Sequence, residues 1–102
     1  NVDNNVKFVL VPVPSKFTIG TTYVFDQSDN TNNNHPLLFT ADLTTNPIEP
    51  VTGLTSVGNA GATGAKVTFI PSSQNEPTIY PYCEHHGTGM GNIYSNGFSI
   101  VN

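Results

Sequence analysis

Apolar and polar residues alternate in short stretches along this chain, and no long segment has the helical period of about 3.6 residues. Strand signals recur instead, because successive strand side chains point to opposite faces. The first candidate strand contains Pro12 and is followed by Pro14, and neither proline can donate to a ladder, so the strand ends there or lies at a sheet edge. The last is one bent strand or a hairpin that turns at Asn96 and Gly97. The candidate strands are VKFVLVPV (6–13), KFTIG (16–20), TYVFDQ (22–27), PLLFTA (36–41), AKVTFIP (65–71), PTIYPYC (77–83) and GNIYSNGFSIVN (91–102).

Polar segments separate these strands. Residues 29–34 are turn material with Asx caps. Residues 42–64 are rich in Thr, Gly, Pro and Asn, and we interpret them as a long connection across the domain that holds at most a short helix or an irregular strand. About seven to eight short strands joined in this way predict an all-β Greek-key sandwich or barrel. We find no repeat and no linker, so residues 1–102 are expected to form a single domain.

The composition excludes several classes of partner. The net charge is -4, and the cations are three lysines without an arginine. Nucleic acids and anionic membrane surfaces both require clustered Lys and Arg, so neither is an expected partner. No apolar run has the length of a membrane span. The scarcity of cations favours a periplasmic or extracellular location, and a single cysteine cannot form an internal disulfide.

One short stretch concentrates the residues that could carry chemistry. YPYCEHHGTGMG (80–91) holds the only cysteine, two of the three histidines and the only methionine. The thiolate of Cys83, the imidazole of His86 and the thioether of Met90 form a donor set that favours copper or zinc over magnesium or calcium. Its glycines permit a tight turn. His35, between a polar turn and a strand, is the candidate fourth ligand.

These segments resemble the cupredoxins of the plastocyanin, amicyanin and pseudoazurin kind. The likeness lies in His35 within NNHPLLF (33–39) and in YCEHHGTGM (82–90). It is similar also to small cupredoxin-like domains of larger extracellular or virion-associated proteins, which carry FDQSD and HPL segments. The resemblance implies a cupredoxin-type sandwich that binds one copper ion, with His35, Cys83 and His86 as equatorial ligands and Met90 as the axial ligand. It further implies a monomeric electron carrier, not an enzyme, whose exposed His86 meets a redox partner protein.

The sequence departs from that pattern at three points. Three residues separate His86 from Met90, a spacing between those of plastocyanin and amicyanin. His85 lies beside His86 and competes with it, although Cys-x2-His is the family spacing. Pro36 stands where several relatives have an asparagine that braces the copper loop, so that brace is missing or is supplied by Asn34.

Other functions remain open at this point. A weakly closed axial position would suit small-molecule chemistry, for instance with nitrogen oxides. A structural or interaction domain of a larger extracellular or virion protein is a further alternative. Zinc is the rival metal, although structural zinc prefers more thiolates than one. A nucleophilic Cys83 is the rival chemistry, but no helix N-terminus or electropositive pocket is evident beside it.

Overall fold

The computed structural model of the protein describes residues 7–87 and 89–102. Within these ranges the regular structure consists of strands and two 3₁₀ helices, with no α-helix. No helix in the described ranges has the length and hydropathy needed to cross a membrane. The strands are β1 (Lys16–Thr18), β2 (Tyr23–Asp26), β3 (Leu37–Thr40), β4 (Leu54–Val57), β5 (Lys66–Phe69), β6 (Thr78–Cys83) and β7 (Phe98–Val101), and the 3₁₀ helices are Asn30–Asn32 and Gly89–Tyr94.

The strands form two sheets, which confirms the all-β sandwich predicted from the sequence. One sheet has the order β1-β7-β6-β3 and the other has the order β2-β5-β4. Strand β1 pairs parallel to β7, and the other pairs are antiparallel. The first four strands alternate between the sheets, so their connections cross from one layer to the other.

Aromatic rings fill the space between the sheets, and Phe17 lies at their centre. Its side chain is fully buried. Neighbouring aromatic rings contact the Phe17 ring edge-on, an arrangement that suits the quadrupoles of aromatic rings. The core therefore depends on one ring from the short strand β1. Its ring centroid lies 4.8–6.2 Å from those of Tyr23, Phe25, Phe39, Phe69 and Phe98.

The strand predicted at residues 6–13 is not found in residues 7–13, and Val6 lies outside the described residues. The alternation itself is correct, because Phe8 and Leu10 are buried while Val9, Val11 and Val13 are exposed. The main chain bonds elsewhere: the Phe8 N–H donates to the Met90 carbonyl at 2.7 Å, and the Leu10 N–H donates to the Tyr94 hydroxyl at 2.8 Å. This segment therefore runs along the second 3₁₀ helix instead of joining a sheet.

The connection predicted at 42–64 contains a regular strand, β4. Leu54 is half-buried and the other three residues of β4 are exposed. A strand that buries so little of itself has no alternating apolar pattern, so its sequence did not reveal it. It pairs antiparallel with β5, and only its first residue, Leu54, packs against the hydrophobic core.

The last predicted segment, 91–102, is neither a bent strand nor a hairpin. Its first part belongs to the second 3₁₀ helix, and only residues 98–101 form a strand. A side chain at Gly91 would overlap the Pro81 carbonyl, so the helix packs directly on β6. Asn96 and Gly97 turn the chain, with the Gly97 N–H donating to the Tyr94 carbonyl at 2.8 Å, but they join a helix to a strand.

Candidate metal centre

The pairing of β3 with β6 brings His35 to Cys83, although the two lie 48 positions apart in the chain. Leu37 lies opposite Cys83 in the ladder, and the Glu84 N–H donates to the Pro36 carbonyl at 3.0 Å. This bond extends the pairing beyond both strand ends. Consequently His35, two residues before Leu37, lies beside the last residue of β6.

A tight loop after β6 brings His86 to the same point. The Cys83 N–H donates to the Gly87 carbonyl at 3.0 Å, and the Gly87 N–H donates to the Cys83 carbonyl at 2.8 Å. Closing this loop requires Gly87 to adopt a φ of 70°, which glycine accepts at little cost. This tight loop places His86 beside the Cys83 thiol.

The three side chains converge on one point. The Cys83 Sγ lies 3.4 Å from Nδ1 of His86 and 3.8 Å from Nδ1 of His35. The candidate ligand atoms of all three lie within 4.8 Å of one another. Cys83 is fully buried, His35 is half-buried and His86 is exposed. The site thus extends from the end of the core to the surface.

These separations fit a metal ion. Metal–sulfur bonds of about 2.3 Å and metal–nitrogen bonds of about 2.0–2.1 Å put the two donor atoms about 3.5–3.8 Å apart at angles between tetrahedral and trigonal. The observed 3.4 and 3.8 Å bracket that range closely. The arrangement therefore has the dimensions and donor types of a thiolate–imidazole metal site.

No family model, curated protein or solved structure matches this chain. The likeness to cupredoxins therefore rests on the quoted segments, the two-sheet fold and the convergence of His35, Cys83 and His86. That convergence supports a metal-binding site and is compatible with a cupredoxin. It does not by itself choose the metal.

Met90, the predicted axial ligand, is buried in the core near this site. Its side chain is 3% exposed and belongs to the main hydrophobic cluster. Its carbonyl accepts the bond from Phe8, and its side chain and His35 line one cavity of about 650 Å³. The axial role of Met90 stays a prediction.

The neighbouring histidines face different groups. His86 faces the thiol, whereas the exposed His85 donates from Nδ1 to the Asn34 carbonyl at 3.3 Å. The same carbonyl lies 3.9 Å from the Cys83 Sγ. Asn34 has a φ of 67°, a left-handed conformation that asparagine tolerates better than most residues. Asn34 therefore contacts the loop through its main chain.

Gln27 has a part in this site that the sequence analysis missed. It follows β2, and its side chain is only 4% exposed. Its Nε2 donates to the His35 carbonyl at 2.8 Å, and its Oε1 accepts from the Leu37 N–H at 3.0 Å. The available signal was its position inside FDQSD, directly after an apolar strand.

Two titratable groups near the site, Asp29 and Tyr82, have pKa values shifted by their surroundings. The Thr31 N–H and hydroxyl donate to Asp29, which lowers the pKa of that carboxyl and caps the 3₁₀ helix before His35. Burial raises the pKa of Tyr82, and the negative charges of Glu84 and Glu49 add to the effect. Tyr82 therefore stays neutral beside Cys83 at physiological pH.

The loop geometry predicts unequal effects of alanine at its two described glycines. Gly87→Ala should lower the free energy of unfolding by about 1–2 kcal/mol, because a side chain is strained in the left-handed region. No atom lies within 4 Å of the added methyl group, so the cost comes from the backbone alone. Gly89→Ala is the matched control, since that position has neither a positive φ nor a close neighbour. Urea denaturation measures both, and equal effects would contradict the loop geometry.

Proposed function

We propose that this domain binds one copper ion through His35, Cys83 and His86, with Met90 as a weak axial ligand, and acts as an electron carrier. Copper supplies one-electron redox chemistry, since it cycles between Cu(I) and Cu(II). The residues of the chain hold the ion in one geometry and connect it to the surface. In this proposal the domain is not an enzyme.

The observation that carries the proposal is a buried thiol flanked by two imidazole nitrogens at 3.4 and 3.8 Å. Two histidines and one cysteine with a weak axial ligand are the donor set of blue-copper sites. Structural zinc sites favour more thiolates, and calcium and magnesium require oxygen donors. The donor chemistry thus favours copper among the metals that fit.

The frame of the site suits a carrier. Cys83 is the last residue of β6 and has no exposed surface. His35 lies two residues before β3, which pairs with β6, so both ligands are rigid. Rigid ligands change little between the two oxidation states, which keeps reorganisation small. His86 is exposed and gives a redox partner protein a short path to the ion. A monomer in an extracellular or periplasmic compartment completes the proposal.

The test is a titration of metal-free protein with Cu(II), followed by visible absorption. We expect an intense thiolate-to-copper band that saturates at one equivalent, disappears on reduction with ascorbate and returns on reoxidation. A band that forms but does not cycle would contradict electron transfer. Folded protein without any band would refute the copper site and leave a structural module as the better account.

One observation favours a second candidate function, the binding of a small molecule at the axial side. The cavity of about 650 Å³ reaches both His35 and Met90 and has the size of many ligand sites. In that case nitric oxide added to the reduced, copper-loaded protein would give a saturable spectral change. Met90→Ala should enhance that change, and an unresponsive spectrum in both proteins would exclude this candidate.

A further inference from the structure

We propose that Gln27 is a positioning residue for the metal site, whose side-chain amide fixes the main chain on both sides of His35 and thereby sets the distance from His35 to Cys83. The proposal rests on the function proposed above and adds the element that holds one ligand in place. The evidence is the burial and the hydrogen bonds of Gln27, which lies outside the cluster of His35, Cys83 and His86.

The amide of Gln27 takes the place of a missing neighbouring strand. Strand β3 is at the edge of its sheet, with β6 on one side only. The His35 carbonyl and the Leu37 N–H, two residues apart, are bound by Gln27 Nε2 and Oε1 at 2.8 and 3.0 Å. An adjacent strand would supply the same pair of bonds. Gln27 therefore makes the hydrogen bonds that a further strand would make at the start of β3, beside His35.

Gln27 is itself held firmly by the opposite layer. Its N–H donates to the Ala65 carbonyl at 2.9 Å, and its carbonyl accepts from the Gly61 N–H at 2.7 Å. Gly61 lies so close to Asn33 that a side chain there would be 2.6 Å from the Asn33 Cα. The connection between β4 and β5 thus anchors the main chain of Gln27, whose side chain reaches across to the other sheet.

The same amide also controls the turn before His35. Gln27 Nε2 lies 3.3 Å from the Asn32 Oδ1, to which it donates, and the Asn32 carbonyl accepts the His35 N–H at 2.8 Å. The bond at the His35 N–H and the bond at its carbonyl therefore lead back to Gln27 or to its partner Asn32. Fixing a ligand through its main chain has the same purpose as the hydrogen bonds that orient ligands in known metal sites.

The test is Gln27→Met, which keeps the length of the side chain and removes its hydrogen bonds. We expect the affinity for Cu(II) to fall by about 10–100-fold, as for other residues that support ligands, with a shifted or weakened thiolate band. Proton NMR of the metal-free protein gives a second readout. The His35 and His86 rings lie 4.7 Å apart at 45°, so each shifts the other's proton resonances. Those resonances should move toward random-coil values in the variant.

The matched control is Asn75→Leu. Asn75 also uses a side-chain amide to bridge the main chain, accepting from the Ser72 N–H at 2.9 Å and donating to the Thr52 carbonyl at 3.2 Å. It lies beyond the Phe69 end of β5, whereas Gln27 lies beyond the Lys66 end. The control should lower the melting temperature and leave the copper affinity, the band and the histidine resonances unchanged.

The outcomes separate the two proposals. If Gln27→Met loses stability but keeps the affinity, the band and the histidine resonances, Gln27 is structural only and the inference is wrong. If the wild type gives no copper band, the proposed function fails, and the NMR comparison alone decides the role of Gln27. If Gln27→Met does not fold, Gln27→Glu replaces it. Its carboxylate can accept from Leu37 but cannot donate to His35, so the same losses are expected.

Discussion

Cys83→Ser is expected to remove the thiolate-to-copper band completely. Removing a residue that only supports a ligand lowers metal affinity by about 10–100-fold, and the loss of affinity for Cu(II) in Cys83→Ser should be larger than that. Serine has nearly the shape of cysteine, but its hydroxyl is not a thiolate and is a poor ligand for copper. The metal-free variant should remain folded, because serine fills nearly the same space and a small movement of the exposed His86, whose Nδ1 is 3.4 Å from the Sγ, brings a hydrogen-bond partner to the hydroxyl. Absorption titration and circular dichroism measure the two properties.

The neighbouring histidines provide the controls for this experiment. His86→Ala should also abolish or strongly alter the band, since its Nδ1 is 3.4 Å from the Cys83 Sγ. His85→Ala should leave the band in place, because His85 faces the Asn34 carbonyl. An intense band that survives in Cys83→Ser would show that the thiol is not the ligand. A band lost in His85→Ala and kept in His86→Ala would reverse the assignment of the histidine.

The largest expected effect on stability is that of Phe17→Ala. Removing this ring leaves a cavity at the contact of both sheets, and such changes typically cost about 3–5 kcal/mol. That is a large part of the about 5–15 kcal/mol by which domains are usually stable. We expect a partly unfolded or unfolded protein at 37 °C. Urea denaturation followed by circular dichroism gives the free energy of unfolding.

Val24→Ala is the control for this substitution. Val24 lies in β2, whose neighbouring residues contact the Phe17 ring, but its own side chain is 58% exposed. Its replacement should change the free energy of unfolding by about 0.5 kcal/mol or less, as surface substitutions usually do. A loss of under about 1 kcal/mol in Phe17→Ala would mean that the sheets can close over the missing ring, because the cost depends on how far the site collapses.

Much of the fold was predictable because its strands bury alternate residues. Strands β1, β2, β3, β5 and β6 lie within predicted strand segments, and β7 lies in the last part of the predicted segment 91–102. The exceptions have local causes. Residues 7–13 have the alternation of a strand but bond to a 3₁₀ helix, and β4 is a strand without the alternation because it is largely exposed. Burial and main-chain pairing are separate properties, and the alternation of apolar and polar residues indicates only which side chains are buried.

The sequence by itself predicted three candidate ligands, because Cys83, His86 and Met90 are close together in the chain. It also predicted an all-β sandwich or barrel, because apolar and polar residues alternate in several short segments. The tertiary structure decided which of His85 and His86 faces the thiol, and it revealed the bonds from Gln27 to either side of His35. These features depend on which main-chain groups of distant segments come opposite one another. That pairing is set by the register of β3 on β6 and by the packing of the two sheets, neither of which a local pattern of residues contains.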